Sequence, residues 1–213
     1  MSQPKSVAII TTSTRTPRVG PHIAAFVKSL LDDAAKTNNI QLSPVDLADF
    51  KLPIYDEAIV PGMINPTQED SPRYSHSHSI AWSAEIKRHD AYVLVIPEYN
   101  YGLAGGTKNA IDYLMHEWKG KPVAIVSYGI QGGAYASEQA AHVLSNMKLR
   151  VAATKPQLQF AGAHGPELVG AMLKGELGEA TKTSWGTGKA EEILKAFEEV
   201  RVLLEEEPVV EGK

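Results

Sequence analysis

The residues best suited to chemistry follow a short apolar run near the middle of the chain. The run is rich in β-branched residues and occupies residues 92–96, and polar and aromatic side chains come directly after it: Pro97, Glu98, Tyr99, Asn100 and Tyr101. It predicts a central strand buried on both faces. We expect the strand to end at Pro97, because proline has no N–H to donate to a sheet ladder. Glycines at positions 102, 105 and 106 then predict a turn in which the backbone approaches a ligand closely.

A helix should follow this turn and complete a unit of strand, loop and helix. Apolar residues lie on one face at helical spacing: Ala110, Ile111, Leu114, Met115 and Trp118. The polar and aromatic group therefore lies at the carboxyl end of a strand. Ligands bind at this edge of open α/β sheets, so the stretch is predicted to carry a binding site.

A second loop of the same kind follows a buried strand predicted at residues 6–11. It joins hydroxyl and guanidinium groups to the start of a helix near position 21: Ser13, Arg15, Arg18, Val19 and Gly20. Hydroxyls, free backbone N–H groups and the helix dipole all favour an anion, and a guanidinium can bind two phosphate oxygens at once. The loop is a candidate phosphate site, although an ordinary turn with a helix cap has a similar composition.

A third loop follows the buried strand predicted at residues 122–128. It contains Tyr128, Gly129, Gly132 and Gly133, and a helix is predicted to follow, with aligned apolar residues from Ala136 to Met147. The glycines permit a tight turn, and that structural role alone would account for them. However, the carboxyl ends of parallel strands share one edge of a sheet, so the three loops are expected to converge there.

The central motif resembles the signature of a known family. Pro97 to Asn100, followed by Gly105 and residues 108–112 (Lys-Asn-Ala-Ile-Asp), is similar to the motif of the NADPH-dependent FMN reductases, which are flavodoxin-like flavoproteins. The family's Gly-Ser-x-Arg phosphate loop is matched at Ser13 and Arg15, with threonine in place of the glycine. The sequence departs from the family at positions 102, 104 and 107, where serine, proline and leucine are usual.

This resemblance implies a flavin cofactor and a reaction. FMN would be bound by thirteen residues: Ser13, Arg15, Val19, Gly20, Pro97, Glu98, Tyr99, Asn100, Tyr101, Tyr128, Gly129, Gly132 and Gly133. The implied enzyme is an NAD(P)H oxidoreductase working by ping-pong hydride transfer from NADPH or NADH to the flavin, and then to a quinone, free flavin or azo compound. No catalytic side chain is implied, because the chemistry takes place at flavin N5. The family also implies a homodimer or higher homo-oligomer, to whose interface Met115 and Trp118 would contribute.

The alternation of apolar runs predicts the fold class. Five strands with about five intervening helices indicate an α/β protein, with a parallel sheet covered by helices on both faces. We predict a flavodoxin-like three-layer sandwich with strand order 2-1-3-4-5, the fifth strand at residues 149–160 being interrupted by Pro156. Residues 48–75 and 161–188 read as irregular. The whole chain, 1–213, is expected to be a single FMN-binding domain with a frayed tail at 205–213.

Composition excludes several classes of function. The net charge of −4 disfavours nucleic acid as a partner. The absence of cysteine excludes disulfides and a cysteine nucleophile. No apolar stretch approaches the roughly 20 residues needed to span a membrane, so a cytoplasmic protein is expected. His76 and His78 lack a third ligand at suitable spacing, so no metal site is predicted.

Two further readings stay open at the level of sequence. The chain could be a flavin-binding redox sensor, or an electron carrier, that acts through a protein partner; a carrier docking basic partners is expected to be more acidic than −4. The same fold could also bind a different phosphorylated ligand, because fold does not determine function.

Overall fold

The computed structural model describes residues 3–206, which form seven strands and seven α-helices. The strands are Lys5–Thr11 (β1), Ile40–Asp46 (β2), Ala91–Tyr99 (β3), Gly102–Leu103 (β4), Pro122–Gly129 (β5), Arg150–Val151 (β6) and Gln157–Gln159 (β7). The helices are Gly20–Thr37 (α1), Ser77–Lys87 (α2), Gly105–Asp112 (α3), Ala134–Asn146 (α4), Pro166–Leu173 (α5), Glu179–Gly188 (α6) and Ala190–Glu205 (α7). Short 3-10 turns lie at Leu47–Phe50 and Pro61–Met63.

The sheet has the predicted flavodoxin-like order. Its strands run β2-β1-β3-β5-β6, all parallel, and β7 pairs with β5 beyond the end of β6. The predicted order 2-1-3-4-5 is confirmed, because β5 is the predicted fourth strand and β6 with β7 is the fifth. The number of strands rises from five to seven for two reasons. The fifth strand is split ahead of Pro156, and the hairpin strand β4 pairs antiparallel with β3.

Helices cover both faces of the sheet, as predicted. Alternate side chains of β3 point to opposite faces: Val93 and Val95 pack with α1, α5, α6 and α7, whereas Leu94 and Ile96 pack with α2, α3 and α4. Because both faces are covered, the central strands are apolar throughout rather than alternating with polar residues. Between residues 3 and 206, none of the helices combines the length and the hydrophobicity that a membrane span requires.

The prediction that Pro97 ends the central strand is wrong. Strand β3 continues to Tyr99, and Pro97 pairs in register with Tyr128 of β5. Val95 faces β1, since its carbonyl accepts from the Thr12 N–H at 3.2 Å. Residues two apart point the same way, so the nitrogen of Pro97 also faces β1, but beyond the last paired residue, Thr11. No ladder hydrogen bond is therefore lost.

The helix predicted over residues 110–118 is shorter and earlier than expected. Helix α3 ends at Asp112, and turns carry the chain onward. Trp118 is nevertheless buried, with its ring centroid 4.8 Å from that of Tyr92 and 6.0 Å from that of Trp82. Trp118 thus belongs to the core of one chain, and the prediction that it contributes to a subunit interface is wrong. Met115 is half-buried, and its predicted contribution to an interface stays a prediction.

The region 161–188, expected to be irregular, contains α5 and α6. Pro166 stands in the first turn of α5, where its missing N–H costs nothing. Helix α6 buries Trp185, whose indole N–H donates to the Gln159 carbonyl at 2.6 Å and whose ring contacts Phe26 and Phe160. Trp185 thus supplies a large buried apolar surface in a segment that is rich in glycine. Of the predicted frayed tail, residues 207–213 lie outside the described residues, and α7 includes Glu205.

We expect Trp185→Ala to destabilise the protein by about 3–5 kcal/mol, because it removes a fully buried ring and leaves the Gln159 carbonyl without its donor. Urea unfolding followed by circular dichroism measures the change. Leu173→Ala is the control, since that side chain is 70% exposed and its loss should cost less than about 0.5 kcal/mol. Similar losses in the two variants would contradict the structural role given to Trp185.

Candidate functional site

The loop between β1 and α1 is tied to the neighbouring loop at its first residue. The Thr12 backbone N–H and its hydroxyl both donate to the Val95 carbonyl, each at 3.2 Å. The Thr107 hydroxyl, at the start of α3, donates to Thr12 Oγ1 at 2.8 Å. The loop after β1 is thereby fixed against the end of β3 and the N-terminus of α3.

Arg18 holds the middle of this loop. Its Nη1 donates to the Ser13 carbonyl at 3.0 Å, and its two terminal nitrogens bind the Asp46 carboxylate at 2.9 and 2.7 Å. The hydrogen bonds to Asp46 raise the pKa of Arg18 from an already high value. Because this guanidinium is committed to Asp46, Arg18 positions the loop, and the expectation that it would bind a ligand phosphate is not supported by the geometry.

Ser13 is the polar group of the loop that most needs a partner. Its hydroxyl oxygen is buried and has no hydrogen bond of good geometry, although the Tyr128 hydroxyl lies nearby. A Cβ added to Gly20 would collide with Ser13 Oγ and would lie 2.9 Å from the Tyr128 hydroxyl. The first turn of α1 has neither a capping side chain nor an acidic residue. An unsatisfied hydroxyl beside an uncapped helix N-terminus is suited to an anion.

Arg15 lies above an aromatic ring at the end of β3. Its guanidinium carbon is 4.6 Å from the centroid of the Tyr99 ring, which is cation–π geometry. Burial raises the pKa of Tyr99, and the positive charges of Arg15 and Arg18 oppose that change. Burial likewise raises the pKa of Tyr128, with the Ser13 hydroxyl as the main opposing influence. Both tyrosines are therefore neutral phenols at physiological pH and can donate hydrogen bonds.

The turn after β3 differs from the glycine-rich turn that was predicted. Asn100 and Tyr101 make a two-residue hairpin with φ of 49° and 61°, while Gly102 already pairs with Tyr99 in β4. Two left-handed residues give the turn a twist that matches the paired strands. Tyr101 is 75% exposed, and its ring meets that of Tyr135 edge to face at 6.0 Å.

Glu98 caps the N-terminus of α4. Its Oε2 accepts from the backbone N–H groups of Tyr135 and Ala136, at 2.8 and 3.2 Å, at the N-terminus of α4. A carboxylate is stabilised at this end of a helix by the dipole and by the free N–H groups. The end of β3 is therefore coupled directly to α4, and this carboxylate is committed within the protein.

The glycines of the third loop are required by packing. Gly132 and Gly133 have φ of 72° and 77°, in the left-handed region. A Cβ at Gly132 would lie 2.9 Å from Gln157 Cβ, and one at Gly133 would lie 2.8 Å from the Tyr128 nitrogen. Any larger residue would push the loop away from β5 and β7.

These loops border a cavity of about 390 Å³ at the carboxyl edge of the sheet. Seven of the thirteen predicted site residues line it: Arg15, Val19, Glu98, Tyr99, Asn100, Tyr128 and Gly129. The other six are not among the lining residues: Ser13, Gly20, Pro97, Tyr101, Gly132 and Gly133. The sequence analysis missed five apolar lining residues: Ile130, Phe160, Leu168, Ala171 and Met172.

Helix α5 supplies three of the missed residues and forms one wall of the cavity. Leu168, Ala171 and Met172 lie at spacings of three and four residues, which is typical of one helix face. Pro166, just ahead of them, is a helix-start residue. The signal for this wall was therefore present in the sequence, but the surrounding glycines concealed it.

The arrangement suits a flat aromatic ligand that carries a phosphate. Arg15 and the buried Ser13 hydroxyl lie on the side of the α1 N-terminus, where a phosphate is favoured. Tyr99, Tyr128 and the α5 wall offer aromatic and apolar surface to a ring. FMN, which the sequence resemblance implies, has both parts, and the residues present fit it.

Metal ligands are not grouped in the described part of the chain. No set of three or more His, Asp or Glu residues within 3–206 is arranged to hold an ion. His76 and His78 stack on each other and share Asp56, with His78 Nε2 3.0 Å from Asp56 Oδ1. This pair fixes the segment ahead of α2.

The sequence matches known proteins over most of its length. Residues 5–165 match the family model described as NADPH-dependent FMN reductase. The chain is 45% identical over 202 residues to an NAD(P)H-dependent FMN reductase of Nectria sp, covering 94% of this chain and 97% of that protein. It is 32% identical over 149 residues to a quinone reductase of Pseudomonas putida, covering 68% of this chain and 69% of that protein.

A solved structure supports the fold. An oxidoreductase from Corynebacterium diphtheriae aligns with a TM-score of 0.64 at 18% identity, covering 97% of this chain and 100% of that one. Identity at this level indicates shared architecture, and the relationship between the reactions rests on the closer sequence matches.

Gly20→Ala tests the close packing behind the cavity. We expect a loss of stability of about 1–3 kcal/mol, because the added methyl group displaces the Ser13 hydroxyl and crowds Tyr128. Gly186→Ala, in α6, is the matched control: a Cβ there meets no atom within 4 Å, so the substitution should stabilise the helix by up to about 1 kcal/mol. Thermal unfolding of both variants gives the comparison, and a neutral Gly20→Ala would contradict the packing described.

Proposed function

The chain belongs to the NADPH-dependent FMN reductase family, and from this premise we propose that it is an FMN-dependent NAD(P)H oxidoreductase whose flavin occupies the cavity at the carboxyl edge of the sheet. One observation carries the assignment of the site. The cavity places a guanidinium, Arg15, and an uncapped helix N-terminus beside the aromatic side chains of Tyr99 and Tyr128. Phosphate and ring binding groups thus meet in one place.

The protein's part in the reaction is to bind and orient. When bound, FMN supplies the redox chemistry, taking a hydride from NADPH or NADH and delivering it to a second substrate. Arg15, the Ser13 hydroxyl and the N-terminus of α1 hold the phosphate. Neutral Tyr99 and Tyr128 provide ring surface and hydroxyl donors, and no side chain has to act as a nucleophile.

Five further predicted site residues shape or fix the loops. Gly20, Gly132 and Gly133 allow the three loops to approach one another, and Pro97 is tolerated where β3 continues beyond the end of β1. Glu98 fixes the end of β3 against α4. The α5 wall and Phe160, which line the cavity, exclude water from one side of it.

The proposal extends to the acceptor and to the state of the protein. A small-molecule acceptor, such as a quinone, free flavin or azo compound, reacts at the same site in the second half of the cycle. The relative named quinone reductase supports a quinone. We place the enzyme in the cytoplasm as a homodimer or higher homo-oligomer, with residues 1–213 as one flavodoxin-like FMN-binding domain.

An absorption spectrum tests the function directly. The purified protein, reconstituted with FMN, should show a flavin band that bleaches on anaerobic addition of NADPH or NADH, and a quinone should then restore it. The nucleotide that bleaches faster identifies the donor. Flavin that binds without bleaching would favour the redox sensor or electron carrier instead, and a protein that binds no flavin would refute the site.

Arg15→Ala tests the phosphate end of the site. We expect the Kd for FMN to rise about tenfold to hundredfold, because a charge-assisted phosphate contact contributes about 1.5–3 kcal/mol. Ser13→Ala should weaken FMN by a smaller factor. Arg73→Ala is the control, since Arg73 is exposed and donates to the Glu69 carbonyl in a distant loop. Fluorescence quenching of FMN measures all three affinities. Equal Kd values for Arg15→Ala and Arg73→Ala would contradict the assignment of Arg15 to the flavin phosphate.

A further inference from the structure

A larger cavity lies at the opposite edge of the sheet, where the parallel strands begin. It has a volume of about 840 Å³ and includes residues next to the first residues of β1, β3, β5 and β6. It shares no lining residue with the flavin cavity. Its size falls within the range of pockets that hold small molecules.

The lining of this cavity is strongly cationic. Its positively charged residues are Lys5, Lys87, Arg88, Lys119, Lys121, Lys148 and Arg150. Two carboxylates also line it, Asp90 and Glu206. The lining thus has an excess of five positive charges in a protein whose net charge is −4. Such a concentration creates a local positive potential that the composition of the whole chain conceals.

Two of these cations are explained by helix ends. Lys121 Nζ donates to the Ile86 and Lys87 carbonyls at the end of α2, at 3.0 and 3.2 Å. Arg150 donates to the Leu203 and Glu206 carbonyls at the end of α7, at 2.6 and 3.2 Å. Basic residues are favoured at these ends by the helix dipole. Lys87, in the last turn of α2, is favoured there for the same reason. The helix ends do not neutralise the positive charge that these residues bring to the cavity.

Other cations have weaker or no counter-charges. Lys5 pairs with Asp90 at 3.3 Å in an exposed pair, and Arg88 pairs with Glu85. Among residues 3–206, neither Lys87 nor Lys119 has a carboxylate partner within ion-pair distance. The repulsion among these groups is tolerated at the rim of a cavity and would be relieved by an anion.

The inner part of the cavity combines a buried ammonium with apolar surface. Burial lowers the pKa of Lys121 to about 8, and its ammonium also donates to the Tyr92 hydroxyl at 2.8 Å. Pro122, Leu149 and Leu204 line the same space. Pro122 and Leu149 are already buried, and Leu204 is partly exposed. A purely inorganic anion would leave Leu204 exposed, whereas a ligand with an organic part would cover it.

We propose that this cationic cavity binds a small organic polyphosphate, a class represented by nucleoside triphosphates. The phosphates neutralise Lys87, Lys119 and the neighbouring cations at the rim. The organic part covers Leu204, the partly exposed apolar residue of the lining. The site is independent of the flavin cavity, and its occupancy does not require the redox reaction.

Isothermal titration of ATP into the FMN-loaded, full-length protein tests the proposal. ATP should bind, and binding should weaken as NaCl is raised from about 0.05 to 0.3 M, because salt screens the exposed charges. Inorganic triphosphate, which has the same number of phosphates as ATP, should bind at least about fivefold more weakly, because it leaves Leu204 exposed. The absence of heat or of any other sign of ATP binding would overturn the proposal, and so would equal affinity for inorganic triphosphate.

Charge-reversal variants locate the site. Lys87→Glu combined with Lys119→Glu should raise the Kd for ATP by about tenfold or more. Lys182→Glu combined with Lys195→Glu changes the net charge equally on helices α6 and α7, away from the cavity, and should leave the Kd within about twofold. The flavin spectrum of each variant reports folding. Equal weakening in the two double variants would show that only net charge matters and would overturn the site.

Two further measurements need no variant. ATP should not raise the KM for NADPH, because the two cavities are separate; competition would place ATP at the flavin site and contradict the proposal. ATP should also protect Lys87 and Lys119, which are exposed, from acylation by an amine-reactive ester, as read by peptide mass spectrometry. Lys28, on α1, is the internal control for reagent loss, and the absence of selective protection would count against the proposal.

Discussion

Parallel pairing of β1, β3 and β5 is the constraint on which the rest of the structure depends. The register sets Thr11 beside Val95 and Pro97 beside Tyr128, so the three strands end close together at one edge. The loops that leave them must then share a small volume. Three features of the site follow from this crowding. The Thr12 hydrogen bonds join two loops, Glu98 joins a strand end to a helix, and glycines occupy positions where a larger side chain would not fit.

The sequence predicted the features that follow from local pattern. Unbroken apolar runs identified the central strands, and alternation with helices predicted a parallel sheet, because parallel strands require helical crossovers. The order 2-1-3-4-5 was predicted because it places the first and third strands at the switch point where ligands bind. The three loops were found for the same reason. Local pattern failed where a distant partner decides the outcome. The sequence predicts that the strand ends at Pro97, but the nitrogen of Pro97 faces beyond the end of β1 and no hydrogen bond is lost there. The sequence also predicts that Trp118 lies on a helix face, but the chain forms turns there and Trp118 is buried in the core.

Side-chain roles at the site depended even more on distant partners. Arg15 matches the family's phosphate loop and Arg18 was a second candidate by position alone. Asp46, on another strand, binds Arg18. Glu98 belongs to the family-like motif, yet its carboxylate caps α4, some 37 residues further along the chain. The glycine-rich segment after β7 was read as irregular because glycine lowers helix propensity. The buried surface of Trp185 and the apolar stripe of α5 outweigh that preference.

Helix α5 begins where the match to the family model ends, since that match stops at residue 165 and α5 begins at Pro166. The loops on three sides of the cavity lie within the matched part of the chain, whereas the wall formed by Leu168, Ala171 and Met172 lies just beyond it. Substitutions in this wall would change the shape of the cavity without altering the three loops.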